Sequence, residues 1–169
     1  MEDEGGGAAA PIFYSGEEAS GEYGAFSNRA AFAFELDGKR WPTVEHFFHA
    51  QKFAGTDHEE AIRNAKNANS AHRMGRDRSR PLRGDWEQVK EQVAERGIRA
   101  KFQQHSELRR LLLSTGDRPL VQRTRNDDYW GDSGKANDRG GVRGQNVMGH
   151  ILMKVRASLI EEAEAEAEK

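Results

Sequence analysis

The sequence of 169 residues contains no cysteine, which removes disulfides, thiolate-bound zinc, iron–sulfur clusters and thiol nucleophiles together. Any chemistry falls to carboxylates, amines, hydroxyls and imidazoles. There is no long hydrophobic run either: the densest stretch, around Leu111-Leu112-Leu113, is far shorter than the roughly 18 to 20 apolar residues that span a bilayer. The opening MEDEGGGAAA lacks the basic start and apolar core of a secretory signal, so a soluble, cytoplasmic protein is expected. An excess of one charge is also missing, with 26 Lys plus Arg against 28 Asp plus Glu and a formal net charge of −2. That excludes a polycationic nucleic-acid coat. The balance conceals a separation, because three acids lie in residues 1–10 and five glutamates against Lys169 lie in residues 161–169. The body between them carries 25 basic and 20 acidic residues, which suits a small phosphate-bearing ligand better than a duplex.

One domain is expected over residues 11–160. Residues 1–10 form a low-complexity tail expected to be disordered, and the Glu/Ala-rich residues 161–169 a solvated extension of the last helix. Phe32, Phe34 and Leu36 alternate with Ala33 and Glu35 and run into Asp37-Gly38, the signature of a β-hairpin that returns through Lys39-Arg40-Trp41. Pro42-Thr43 opens a helix to about Phe53, with Thr43 as N-cap. Thr56 with Glu59 has the spacing of a capping box and is followed by Ala61, Ile62, Ala65 and Ala68 at helical intervals. Asp85 with Gln88 repeats that spacing before a helix to about Gln104. A shorter helix from Ser106 stops near Gly116, Pro119 to Thr124 reads as a short strand, and Val147 to Leu159 carry an apolar helical stripe. The resulting fold class is α+β and mainly helical: a single compact domain in which a small antiparallel hairpin packs on several helices.

Glu45, His49 and Lys52 fall at i, i+4 and i+7, which stacks an acid, an imidazole and an amine on one helical face. The commoner outcome of such spacing is a solvated salt-bridge ladder; the flanking Trp41, Phe47, Phe48 and Phe53 argue against full exposure. His46 and His49 lack an obvious third ligand, so no metal is expected. Residues 72–83 carry five arginines, among them Arg73 and Arg76, a candidate phosphate clamp or a salt-bridged surface connector. Residues 127–141, DDYWGDSGKANDRGG, combine aromatic faces, carboxylates and glycines without the order of a dinucleotide fingerprint.

Taken together, the segments FYSGEEASGEYGAFSN, DGKRWPTVEHFFHAQKF, MGRDRSRPLRGDWEQVKEQV, RAKFQQHSELRRLLLST, NDDYWGDSG and NVMGHILMKVR resemble the YbiA-like or NADAR family over roughly residues 12–160. The resemblance implies an N-glycosidase acting at C1 of a ribose, with no metal or redox cofactor. The substrate would be a ribosylaminopyrimidine phosphate of riboflavin synthesis or ADP-ribosylated guanine, including guanine in single-stranded nucleic acid. A monomer is expected. Ser27 and Asn28 match the family's FSN element; Trp41, Glu45, Gln51 and Lys52 match its WPT.EH..QAQK helix; Tyr129, Trp130, Gly131 and Asp132 match its YWGD turn; Asn146 and Gly149 match its N..G pair. Arg29 stands where relatives often have an aromatic, and the loop GDSGKANDRGGVRGQN departs from the usual order.

The resemblance implies Glu45 or Asp132 as the carboxylate that stabilises C1 or activates water. It implies Lys52 either as a Schiff-base nucleophile or as a charged donor to ribose or phosphate. Ser27, Asn28, Trp41, Gln51, Arg73, Arg76, Tyr129, Trp130, Gly131 and Asn146 are the candidate substrate contacts. The alternative is a module that binds ADP-ribose or a nucleotide without cleaving it.

Overall fold

A computed structural model describes residues 9–134 and 144–169. The chain runs through β1 (Ile12–Ser15), a 3-10 turn at Gly24–Phe26, β2 (Phe34–Leu36), β3 (Lys39–Trp41), α1 (Val44–Gln51), α2 (Asp57–Arg63), α3 (Ala68–Gly75), α4 (Trp86–Gln104), α5 (Ser106–Ser114), β4 (Leu120–Arg123) and α6 (Val147–Ala167). This is the mainly helical α+β domain anticipated. The hairpin forms as read: Phe34 pairs with Trp41, and Asp37 and Gly38 both adopt positive φ, at 55° and 75°, the backbone a tight two-residue connection requires. A second, parallel pair was not foreseen. β1 joins β4 in register from Ile12 opposite Leu120 to Ser15 opposite Arg123.

The hairpin leads through β3 into α1, the helix at the centre of the molecule. Thr43 caps it as expected, its hydroxyl accepting from the His46 amide, and every residue from Val44 to Gln51 is buried. Surrounded by α2, α3 and α4, α1 has no solvent face on which a polar ladder could sit. Phe47 packs edge-on against Trp41 and Phe34. α4 comes close because Gly97 has no side chain; a Cβ there would lie 2.9 Å from the Phe47 ring. α6 closes the other side of α4 and lies over β4, burying Ile151, Leu152, Val155 and Leu159. Among the described residues no helix is long and apolar enough to cross a membrane.

Three local readings change. The helix expected after Thr56 is two helices, because Asn67 caps a new start by accepting from the Ser70 amide; α3 thus carries His72 and Arg73, which the sequence reading left in a connector. The Thr56 hydroxyl donates to the Phe53 carbonyl instead of capping, and Glu59 reaches back to the Gly55 amide, so only the glutamate half of the capping box forms, one residue early. Asp85 makes no side-chain cap: its backbone is not extended (φ −99°, ψ 15°), and its carboxylate instead grips Arg83. The expectation of disorder falls mainly on residues 1–8, and the unusual glycine-rich loop mainly on residues 135–143, both outside the described residues.

Candidate active site

The acid, imidazole and amine of α1 are buried together rather than solvated, with Glu45, His49 and Lys52 each less than a tenth exposed. Glu45 Oε1 faces two imidazoles, His49 Nε2 at 2.9 Å and His72 Nδ1 at 2.9 Å. His72 comes from α3. Arg29 completes the group, its Nη2 lying 3.9 Å from Glu45 Oε1 while its Nη1 donates to Asn69 Oδ1 at 2.7 Å. The Ser27-Asn28 segment aims that arginine: the Arg29 amide donates to Ser27 Oγ, and the Glu45 amide donates to the Asn28 carbonyl. Beneath it Lys101, almost fully buried, donates from Nζ to the Ser27 carbonyl at 2.9 Å, and burial pushes its pKa down to about 7.

Burial alone would raise the Glu45 carboxyl, but the charge and hydrogen bond of His49, the hydrogen bond of His72 and the charge of Arg29 outweigh it. They hold the group well below the usual carboxylate range, so it is ionised at neutral pH. Both imidazole nitrogens therefore face an acceptor, which assigns hydrogen to His49 Nε2 and His72 Nδ1. Burial lowers the His49 pKa against the pull of Glu45, and its Nδ1 is buried without a partner. That nitrogen is sealed by Gly75, where a Cβ would lie only 2.1 Å away. Glu45 Oε2 accepts no hydrogen bond among the described residues.

Lys52 Nζ donates to the Gly75 carbonyl at 3.3 Å and lies 5.6 Å from the centre of the Phe48 ring and 5.8 Å from that of Trp86. Burial, and secondarily the charges of Arg78 and Arg76, push its pKa down to about 8 despite Glu45. Trp130 meets the same aromatic wall, edge-on to Phe48 at 5.4 Å. The YWGD turn thus touches the surroundings of Lys52 through its tryptophan. Arg76 and Arg78 are exposed beside it and form no ion pair among the described residues.

Other expected contacts lie elsewhere or are already engaged. Trp41 is wholly buried, with Nε1 donating to the Leu36 carbonyl, and is a core residue with no face for a substrate. Asn146 spans β4, accepting from the Gln122 amide and donating to the Leu120 carbonyl, so its side chain is committed to the strand. Asp132 accepts from the Thr124 and Gly134 amides on one oxygen and from Arg123 on the other and so holds the turn on β4, whereas Glu45 keeps one oxygen without a hydrogen bond among the described residues. Gly131 is buried under Thr124. Tyr129 stacks with Lys90 and donates to Glu91. Arg73 donates to Ser70 on its own helix, and Gln51 is buried at the end of α1. A groove of about 450 Å³ bounded by Ser15, Arg123, Thr124 and Gly134 lies beside the Asp132 turn and includes none of Glu45, His72 or Lys52.

Glu45, His49 and His72 offer three donor atoms within 4.8 Å of one another, the spacing of a metal site. Arg29, 3.4 Å from His72 Nδ1, already supplies positive charge there and would repel a divalent ion. His46 takes no part, bonding instead to Thr43 and the Ala65 carbonyl. The sequence reading placed neither His72 nor Arg29 in the site. No periodicity linked His72 to Glu45, and the departure at Arg29 was the one available signal.

A desolvated amine, an ionised carboxylate and paired imidazoles converging on the central helix of a small α+β domain define a candidate acid–base and nucleophilic catalyst. Comparison with known proteins places it more narrowly. The NADAR domain family matches residues 12–160. The chain is 51% identical to N-glycosidase YbiA of Escherichia coli strain K12 over 87% of its length and 86% of that protein's. It is 34% identical to a riboflavin biosynthesis protein of Vibrio vulnificus over 89% of its own length and 39% of that larger protein's. The NMR structure of E. coli YbiA superposes with a TM-score of 0.79 at 47% identity, covering 92% of this chain and 88% of the other. The chain belongs to the NADAR family and is an enzyme, a hydrolase of the glycosidase type.

Proposed function

We propose that the enzyme hydrolyses the C1–N bond of an N-ribosyl phosphate, with a ribosylaminopyrimidine phosphate of riboflavin synthesis as substrate. The observation that carries this reading is the pairing, on one helix, of a carboxylate held ionised by two imidazoles with a lysine whose pKa is about 8. Breaking a ribosyl C–N bond builds positive charge at C1, and the ionised Glu45, with Oε2 uncommitted, is suited to meet it. Lys52, uncharged in an appreciable fraction of molecules near neutrality, is suited to attack C1 and hold the sugar as a Schiff base. Arg76 and Arg78 supply charge for the phosphate. The names of the relatives support the same chemistry, one an N-glycosidase and another a riboflavin biosynthesis protein. A module that only binds ADP-ribose would have no use for a desolvated amine beside a carboxylate.

Purified protein treated with chelator should release free pyrimidine from a ribosylaminopyrimidine phosphate without NAD, with ADP-ribosylated guanine assayed in parallel as the other substrate carrying such a bond. Borohydride added during turnover should trap a covalent sugar adduct that maps to Lys52. Turnover without any trapped adduct removes the Schiff-base course, and turnover restored only by added metal overturns the metal-free reading.

A further inference from the structure

Cleavage of a C1–N bond requires a proton for the departing nitrogen, and the group best placed to meet C1 is poorly suited to give one. Glu45 is held as a carboxylate by two N–H donors on a single oxygen. We propose that His72, backed by Glu45, is the general acid that delivers this proton. The inference rests on the N-glycosidase reading and adds to it a catalytic residue from a second helix.

The geometry singles out His72 from its neighbours. Its Nδ1 is committed to Glu45, which fixes the tautomer and leaves Nε2, on the opposite edge of the ring, as the atom that gains and loses a proton. Its side chain is 30% exposed, and Nε2 has no protein partner among the described residues. His49 has the complementary arrangement: Nε2 is the committed atom, and its other nitrogen is sealed against Gly75. The two rings meet edge to face at 5.0 Å, so one imidazole is a buried brace and the other opens outward from the same carboxylate.

The charged and titratable groups facing His72 are Glu45 and His49 from α1 and Arg29 from the loop after Asn28; Arg73 lies near it on its own helix and Arg76 at that helix's C-cap. Arg29 can only donate, so it cannot bond to a protonated Nδ1 and instead holds Asn69. As the C1–N bond breaks, its electron pair goes to the nitrogen, which takes the proton from Nε2 of the imidazolium. The neutral imidazole left behind keeps Nδ1–H on Glu45. C1 is captured by the uncharged Lys52 amine, the proton shed by that nitrogen recharges the imidazole, and one water later returns the sugar and the free lysine.

The test compares two leaving groups. A ribosylaminopyrimidine 5′-phosphate needs a proton on its departing nitrogen, whereas a pyridinium riboside 5′-phosphate releases a neutral pyridine without one. In His72→Gln, kcat on the amine substrate should fall about 100-fold or more, while kcat on the pyridinium substrate should change less than about fivefold; in His72→Ala, which also removes the N–H that holds Glu45, the amine substrate should still lose more than the pyridinium one. Glutamine keeps an N–H donor toward Glu45 but cannot supply a proton, so it separates acid catalysis from bracing. Equal losses on both substrates, or wild-type kcat for His72→Gln on the amine substrate, would overturn the role of His72. A wild-type enzyme inert toward both substrates overturns the glycosidase reading itself, and this inference with it.

Discussion

Glu45 shows how position decides the character of a side chain. A lone carboxylate buried in an apolar helix would be driven toward its neutral form, yet here two imidazole N–H groups and a guanidinium reverse that tendency. The charge is the property the proposed chemistry uses. Replacing Glu45 with Gln keeps the size and an acceptor for one histidine while deleting the charge, so kcat should fall about 100-fold or more. The variant should still fold but with a lowered thermal midpoint, because a carboxylate held well below its usual range contributes stability at neutral pH that Gln cannot supply, and one imidazole N–H loses its acceptor. If the folded Gln variant turns over at the wild-type rate, Glu45 is a brace and positive charge at C1 is met by another group.

At the scale of elements, the site exists because α3 lies directly against α1, and Gly75 sets the distance. A Cβ at this position would lie 2.1 Å from His49 Nδ1 and 2.4 Å from its Cγ, and the same residue's carbonyl receives Lys52. Gly75→Ala must therefore push His49 away or lift α3 from α1. It should cost about 1 to 3 kcal/mol in stability and lower kcat more than tenfold, as measured by thermal unfolding and steady-state rates. Gly84→Ala, where an added Cβ meets nothing within 4 Å, is the control and should leave both unchanged.

α3 also marks where the sequence stopped being legible. The hairpin, α1, α4, α5 and α6 announce themselves through Asp37-Gly38, the Thr43 cap and apolar stripes, all of which are local signals. α3 is eight residues of mixed polarity whose capping residue, Asn67, lies inside what reads as a continuing helix. That Glu45, His49 and Lys52 share one helical face was legible from their spacing, although the commoner reading of that spacing is a solvated ladder and only the aromatic flanks argued for burial. Their partners His72, Arg29 and Gly75 were not, because nothing in one strand of sequence says which connector folds back onto which helix.

The whole molecule is tied together by strands more than a hundred residues apart. β1 lies against β4 and brings Ile12 and Tyr14 into the core, at 3% and 4% exposure, while the helical end beyond Ile160 is exposed throughout. The two ends should therefore respond differently to truncation. Burying a large side chain contributes about 1.5 to 3 kcal/mol, so removing residues 1–16 forfeits on the order of 3 to 6 kcal/mol from Ile12 and Tyr14 before the lost pairing with β4 is counted. Small domains hold about 5 to 15 kcal/mol in all, so this truncation should lower the thermal midpoint steeply or prevent folding. Ending the chain after Ile160 removes exposed glutamates that sit near the negative end of the α6 dipole and a single surface contact, Gln103 with Glu162. Its effect should stay within about 1 kcal/mol, with activity unchanged. A loss of stability comparable to that of the N-terminal truncation would show that the last nine residues belong to the folded domain and that its boundary lies beyond Ile160.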